Sequence, residues 1–171
     1  MTDRPTPYVL LAQGDAWASD RLLAACERLG PGEWTAPRTG FFPSIEETVR
    51  HLHMVALFYL DAMEEGGLGY ALRDPAPFAD AAEARAAQGD AGARFVGVAE
   101  TREMDRVVDV ERPHGMTRER VSDLILHLAQ HQTHHRGQVH AMLSGTSVAP
   151  PQLDEFFLAM DADPAHPVHA P

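Results

Sequence analysis

Cysteine is close to absent from this chain: among 171 residues there is only Cys26. An internal disulfide is therefore impossible, and a reducing compartment, the cytoplasm, is the expected home. No secretory leader is expected, since Met1 to Leu11 carries one arginine and no long apolar run. Nor does any stretch approach the roughly 20 apolar residues that a membrane span requires. Positive charge is scarce. Lys and Arg number 14 against 25 Asp and Glu, a formal charge of -11. Such a surface repels phosphate backbones and anionic lipid, so neither nucleic acid nor a membrane is an expected partner.

What is present suits one domain spanning residues 1–171. A chain of this length buries roughly 70% of the surface its unfolded form exposes, so it needs no covalent staple. No internal repeat and no linker divides it. Apolar periodicity predicts an all-α fold of four long helices. The first runs from about Tyr8 to Leu29 and stops at Gly30-Pro31. The second opens on Ser44-Ile45-Glu46-Glu47, a capping box, and ends at Gly66-Gly67. The third runs from Asp80 to about Glu103, weakened by Gly89, Gly92 and Gly97, and Arg106 to Glu111 alternates like a short extended segment. The fourth spans about Thr117 to Ser144. A short last helix is expected over Gln152 to Met160, followed by an unstructured tail over 162–171 that holds His166 and His169.

Histidine is the unusual abundance, with ten residues. Five of them lie on the fourth helix. Set on a wheel of about 100° per residue, Val121, Leu124, Ile125, Leu128, Val139, Met142 and Leu143 form one apolar arc. His135 falls in the middle of that arc and His131 near its edge. His127 and His134 sit at the boundary, while His140 and Arg136 point the opposite way. Arg136 is thus expected at the surface, in a salt bridge or a dimer contact, and Gly137 is expected to permit close helix approach. Two imidazoles one turn apart in an apolar seam need partners that aliphatic neighbours cannot give. One cation satisfies both. On the second helix His51 shares its face with Val55, Phe58 and Ala62, whereas His53 shares the polar side with Glu46 and Arg50. The wheel selects His51 as the third ligand. Three neutral nitrogens leave coordination positions open, the pattern of a reactive site. Zinc is the first expectation, with nickel and ferrous iron as alternatives.

Several segments together resemble a known family. His127-Leu-Ala-Gln-His131-Gln-Thr-His134-His135-Arg136-Gly137-Gln138-Val-His140 resembles the signature H-L-x-N-H-Q-T-H-H-R-G-Q-V-H of the DinB-like (DinB/YfiT) superfamily, with Gln130 in place of the usual Asn. Trp17, the run Phe42-Pro-Ser44-Ile45-Glu-Glu-Thr48-Val-Arg-His51 and Pro150-Pro151-Gln-Leu-Asp154 match further parts of its pattern. The resemblance implies an up-and-down four-helix bundle with one long crossover, frequent homodimers, and metal ligands at His51, His131 and His135. It also implies a metal-dependent transferase using a low-molecular-weight thiol; a non-catalytic stress-response metal protein and a metal-dependent hydrolase are the alternatives. His127 and His134 flank the ligands and are the candidates to orient or accept a proton. Gln138 is placed to bond a ligand imidazole. Trp17, Phe58, Tyr59 and Cys26 read as core.

Overall fold

The computed structural model describes residues 5–157. Helix α1 covers Pro7–Cys26, α2 Ile45–Glu64, α3 Ala81–Thr101 and α4 Val121–Leu143. A 3-10 turn, Gly69–Leu72, follows α2, and strands β1 (Val107–Arg112) and β2 (Gly115–Arg120) precede α4. None of the described helices is long and apolar enough to cross a membrane.

Local chemistry sets most of these boundaries. Thr6 accepts from the Val9 amide and Pro7 opens α1, where its missing N–H is no loss. Ser44 accepts from the Glu47 amide at 3.1 Å, one leg of the expected capping box; its hydroxyl donates at 3.4 Å to the Glu47 carboxylate, which thereby serves the hydroxyl. Asp80 accepts from the Glu83 amide at 2.9 Å and starts α3.

Helix α3 runs unbroken through its three glycines, and Gly92 explains part of this. A Cβ there would lie 3.1 Å from Ala16 Cβ, so the missing side chain lets α1 and α3 approach closely. Gly89 faces open space instead. Gly89→Ala should therefore stabilise the protein by up to about 1 kcal/mol, whereas Gly92→Ala should not. Urea unfolding of the two variants checks the difference. Gly137, expected to permit close approach, is exposed and meets nothing within 4 Å.

Three expectations about segments change. The extended segment before α4 is half of an antiparallel hairpin, Val107 pairing with Arg120 and Arg112 with Gly115. The residues read as the first turn of α4, Thr117 to Arg120, form the partner strand, and α4 begins at Val121. Only Val108 and Val110 of the hairpin are buried, so β2 carries no apolar alternation to betray it. The last helix is not formed over 152–157, where Phe156 instead packs at 5.6 Å on Trp17 and the Pro151 carbonyl meets His140 Nε2 at 2.9 Å. Residues 158–160 of that expected helix, and the tail with His166 and His169, lie outside the described residues.

Sequence neighbours are not all spatial neighbours. Helix α1 packs on α3 and α4, and α2 packs on α4 and α3, which puts α1 and α2 at opposite corners. The α1–α2 and α3–α4 connections both run between opposite corners, where one such crossover was expected. Among the described residues the interior holds three apolar clusters, a small one of Trp17, Ala18 and Phe156 and two larger ones that span α2 and α4. One contains Ala56 to Met63 of α2 and Val121 to Ala129 of α4; the other contains Ile45 and Val49 of α2 and Val139 to Leu143 of α4. On both helices the break between clusters falls at the same level. It holds His51 on one and His131 and His135 on the other.

Cys26 belongs to the second cluster, 2% exposed, and burial pushes its thiol up to about 12. It should resist a thiol reagent such as Ellman's at pH 8 while the protein is folded and react fully in denaturant. Its folded form stays protonated where the unfolded thiol already ionises near 9.0, so its contribution to stability falls as pH rises above that value.

Candidate metal centre

His51, His131 and His135 each offer a ring nitrogen, and the three nitrogens lie within 4.8 Å of one another. His51 Nε2 stands 3.0 Å from His131 Nε2. The rings of His51 and His135 meet edge to face at 4.6 Å, and those of His131 and His135 lie at 4.5 Å. The i, i+4 spacing on α4 stacks two of the rings on one face. Gln132, between them, donates at 3.0 Å to the Leu52 carbonyl and ties α4 to α2 beside His51.

Protonation follows from the surroundings. Burial, with nearby His135 adding to it, lowers His51 to about 4, and burial, with the neighbouring imidazoles adding to it, lowers His131 to about 3. His135 is also lowered by burial, less so because it bonds Gln138. All three are therefore neutral at pH 7, the form that binds metal. The Gln138 Oε1 lies 2.8 Å from His135 Nδ1. That nitrogen must be the donor, which assigns the lone pair to Nε2. His131 Nδ1 is buried with no hydrogen-bond partner among the described residues. The residues fit a cation by the chemistry of the donor set: three uncharged nitrogens converge, and among the described residues no carboxylate joins the group. His53, on the same helix as His51, turns away, its Nδ1 3.2 Å from Gln88 Oε1 on α3.

With this geometry in hand, the comparison with protein families is decisive, because the DinB family profile matches residues 1–165. The chain belongs to the DinB family. No curated protein matches its sequence.

In this DinB-family chain the flanking histidines part company. His127 is exposed at the site's edge, its ring 4.9 Å from Tyr59 and 6.2 Å from His131, and it lines a cavity of about 200 Å³ together with His51 and His131. His134 is exposed beyond Gln138, whose amide nitrogen lies 3.2 Å from His134 Nε2. Of the two, only His127 faces the cavity.

Arg136 departs from its expected position. Rather than pointing outward it is buried between α4 and α1, bonded to Asp15, to Ser19 Oγ at 3.1 Å and to Thr133 Oγ1 at 3.3 Å. The wheel measured the apolar arc of α4, but α1 covers a second face that the arc omits. For the same reason Glu46, read as polar surface, is buried and accepts from the Phe78 amide at 3.1 Å.

Sequence reasoning did not assign four contributors to the site. Phe42, from the loop before α2, lays its ring 4.5 Å from that of His51 and 5.7 Å from that of His135. Tyr59 is buried as expected of core, yet its hydroxyl accepts from Arg112 at 2.8 Å. Arg112 and Arg73 reach the cavity from the hairpin and from the 3-10 turn. Phe42 already stood in the matched F-x-S-I pattern; the arginines had no local signal.

Proposed function

We propose that His51, His131 and His135 hold one divalent cation, zinc in the first instance with nickel or iron as alternatives. We further propose that the protein is a cytoplasmic, homodimeric, metal-dependent transferase using a low-molecular-weight thiol. The observation that carries the reading is the convergence of three neutral imidazoles beside a cavity large enough for a small molecule. A cation bound there supplies Lewis acidity, which favours the thiolate of an incoming thiol at neutral pH.

The chain's own residues have separable tasks. Gln138 fixes the orientation and tautomer of His135. Phe42 shields one side of His51 from water. His127, lining the cavity, is the residue placed to take the thiol's proton. His134, bonded to Gln138, supports that glutamine. The thiol must come from a second molecule, because Cys26 is buried in the apolar cluster below the site.

The test is a cobalt-substituted sample carrying one equivalent of metal. Addition of a small thiol should change its visible spectrum, because at least one coordination position is exchangeable. A spectrum that answers to azide and pH but not to thiol would favour a hydrolase. One that ignores all three would favour a non-catalytic stress-response role and sink the transferase reading.

A further inference from the structure

The cavity beside the triad has a charge that the rest of the molecule does not share. The protein as a whole carries -11. The neighbouring cavity behind the hairpin, of about 310 Å³, is lined by Asp61, Glu65, Asp109 and Glu111. Among the described residues, the charged side chains lining the roughly 200 Å³ cavity at His131 are Arg73 and Arg112, and no carboxylate lines it. Glu119 balances the Arg112 charge, so Arg73 supplies the net positive charge, and a cationic wall of this kind selects an anionic ligand.

Both guanidinium groups are set in place. Arg112 Nε and Nη2 bond the Glu119 carboxylate at 2.9 and 2.7 Å, and its Nη1 donates to Tyr59 at 2.8 Å. Three of its five N–H donors are thus used and two remain. Arg73 lies with its guanidinium carbon 4.0 Å over the Tyr70 ring. Among the described residues no carboxylate lies within ion-pair distance of it. Its charge is therefore available, and the stack holds it flat against the cavity wall. The remaining wall is apolar or aromatic, with Met54, Val55, Phe58, Tyr59 and Tyr70. The volume is below the usual range for drug-sized ligands, which limits the occupant to a small molecule.

We propose that this cavity binds a small organic carboxylate, its carboxylate on Arg73 and Arg112 and its apolar body against Tyr59, Tyr70 and Met54, which presents it to the His131 face of the triad. This deepens the transferase reading by naming a substrate class, and it rests on that reading for its catalytic meaning. The hairpin then has a purpose beyond joining α3 to α4: β1 delivers Arg112, and Glu119 of β2 holds it.

The experiment titrates benzoate into metal-free protein and follows the backbone and arginine Nε–H resonances by NMR. Benzoate should saturably shift Tyr70, Arg73, Arg112 and His131. Arg73→Met should weaken binding at least about tenfold, as loss of a charge-assisted bond to the carboxylate requires, and Arg73→Lys should restore part of it. Arg118→Met, on the hairpin outside the cavity, should bind as wild type. Benzamide, the neutral isostere, should bind far more weakly. Equal binding of benzamide, unchanged binding by Arg73→Met, or inorganic phosphate competing as well as benzoate would each overturn the proposal. Because the titration needs no metal, its failure alongside one bound metal equivalent sinks only the carboxylate site. Its success in a protein that takes up no metal sinks only the transferase reading.

Discussion

Arg136→Met should cost about 3–5 kcal/mol of folding stability at pH 7, the largest single-residue effect expected in this protein. The replaced side chain is 9% exposed and its partner Asp15 11%. Removing one member of such a pair leaves the other as an uncompensated buried charge, which is the expensive outcome. Asp15 shows the tension already: burial raises its carboxyl above 3.8, and the attraction of Arg136 only partly offsets this. Without the arginine it should rise further. The sign then follows. A carboxyl whose folded pKa exceeds its unfolded value binds more protons when folded, so stability falls as pH rises through that window. The deficit of Arg136→Met should therefore be larger at pH 7 than at pH 4.5, relative to wild type at each pH. Chemical denaturation at both values measures it. The double variant Asp15→Leu with Arg136→Met should recover most of the loss, since an apolar pair of similar volume fills the space without a buried charge. A double variant as unstable as the single would show that the network with Ser19 and Thr133, rather than the charge pair, sustains this corner.

Loss of any one triad member should abolish stoichiometric metal. Tag-free wild type should carry about one equivalent by mass spectrometry, and His51→Ala, His131→Ala and His135→Ala should each carry almost none. His53→Ala should retain it, because that ring faces Gln88 on α3. Gln138→Leu is the graded case. It removes the bond that orients His135, and loss of such a partner typically weakens metal binding by about 10–100-fold. Added zinc should raise the melting temperature of wild type and His53→Ala, and leave the triad variants unmoved. A wild type that takes up no metal after reconstitution would leave a cluster of hydrogen-bonded histidines and end the metal reading.

Much of this site was legible because it depends on angles within single helices. His131 and His135 are one turn apart, so any helix over 121–143 stacks them. On α2, His51 and His53 differ by about 200° on the wheel, and the separation survives folding: one ring meets His131, the other Gln88. The three histidines lie in the gap between apolar runs on each helix, and such a gap is itself a sequence feature. Composition supported the same picture through the lone cysteine, which the fold buries.

Sequence by itself therefore determined the four long helices, though not the start of α4, and the face carrying the histidines and the membership of the family, because helix periodicity and capping are local physics. Tertiary structure alone decided what lies around them. It turned Arg136 inward, since a wheel shows where a residue points but not how many neighbours cover that direction. It paired residues 115–120 with 107–112, because strand pairing depends on a partner chain rather than on local pattern. It brought Arg73 and Arg112, 39 positions apart, to one wall beside the triad. Neither arginine has a periodicity that announces it; only the folding of the hairpin and the 3-10 turn against α2 brings both to one cavity wall.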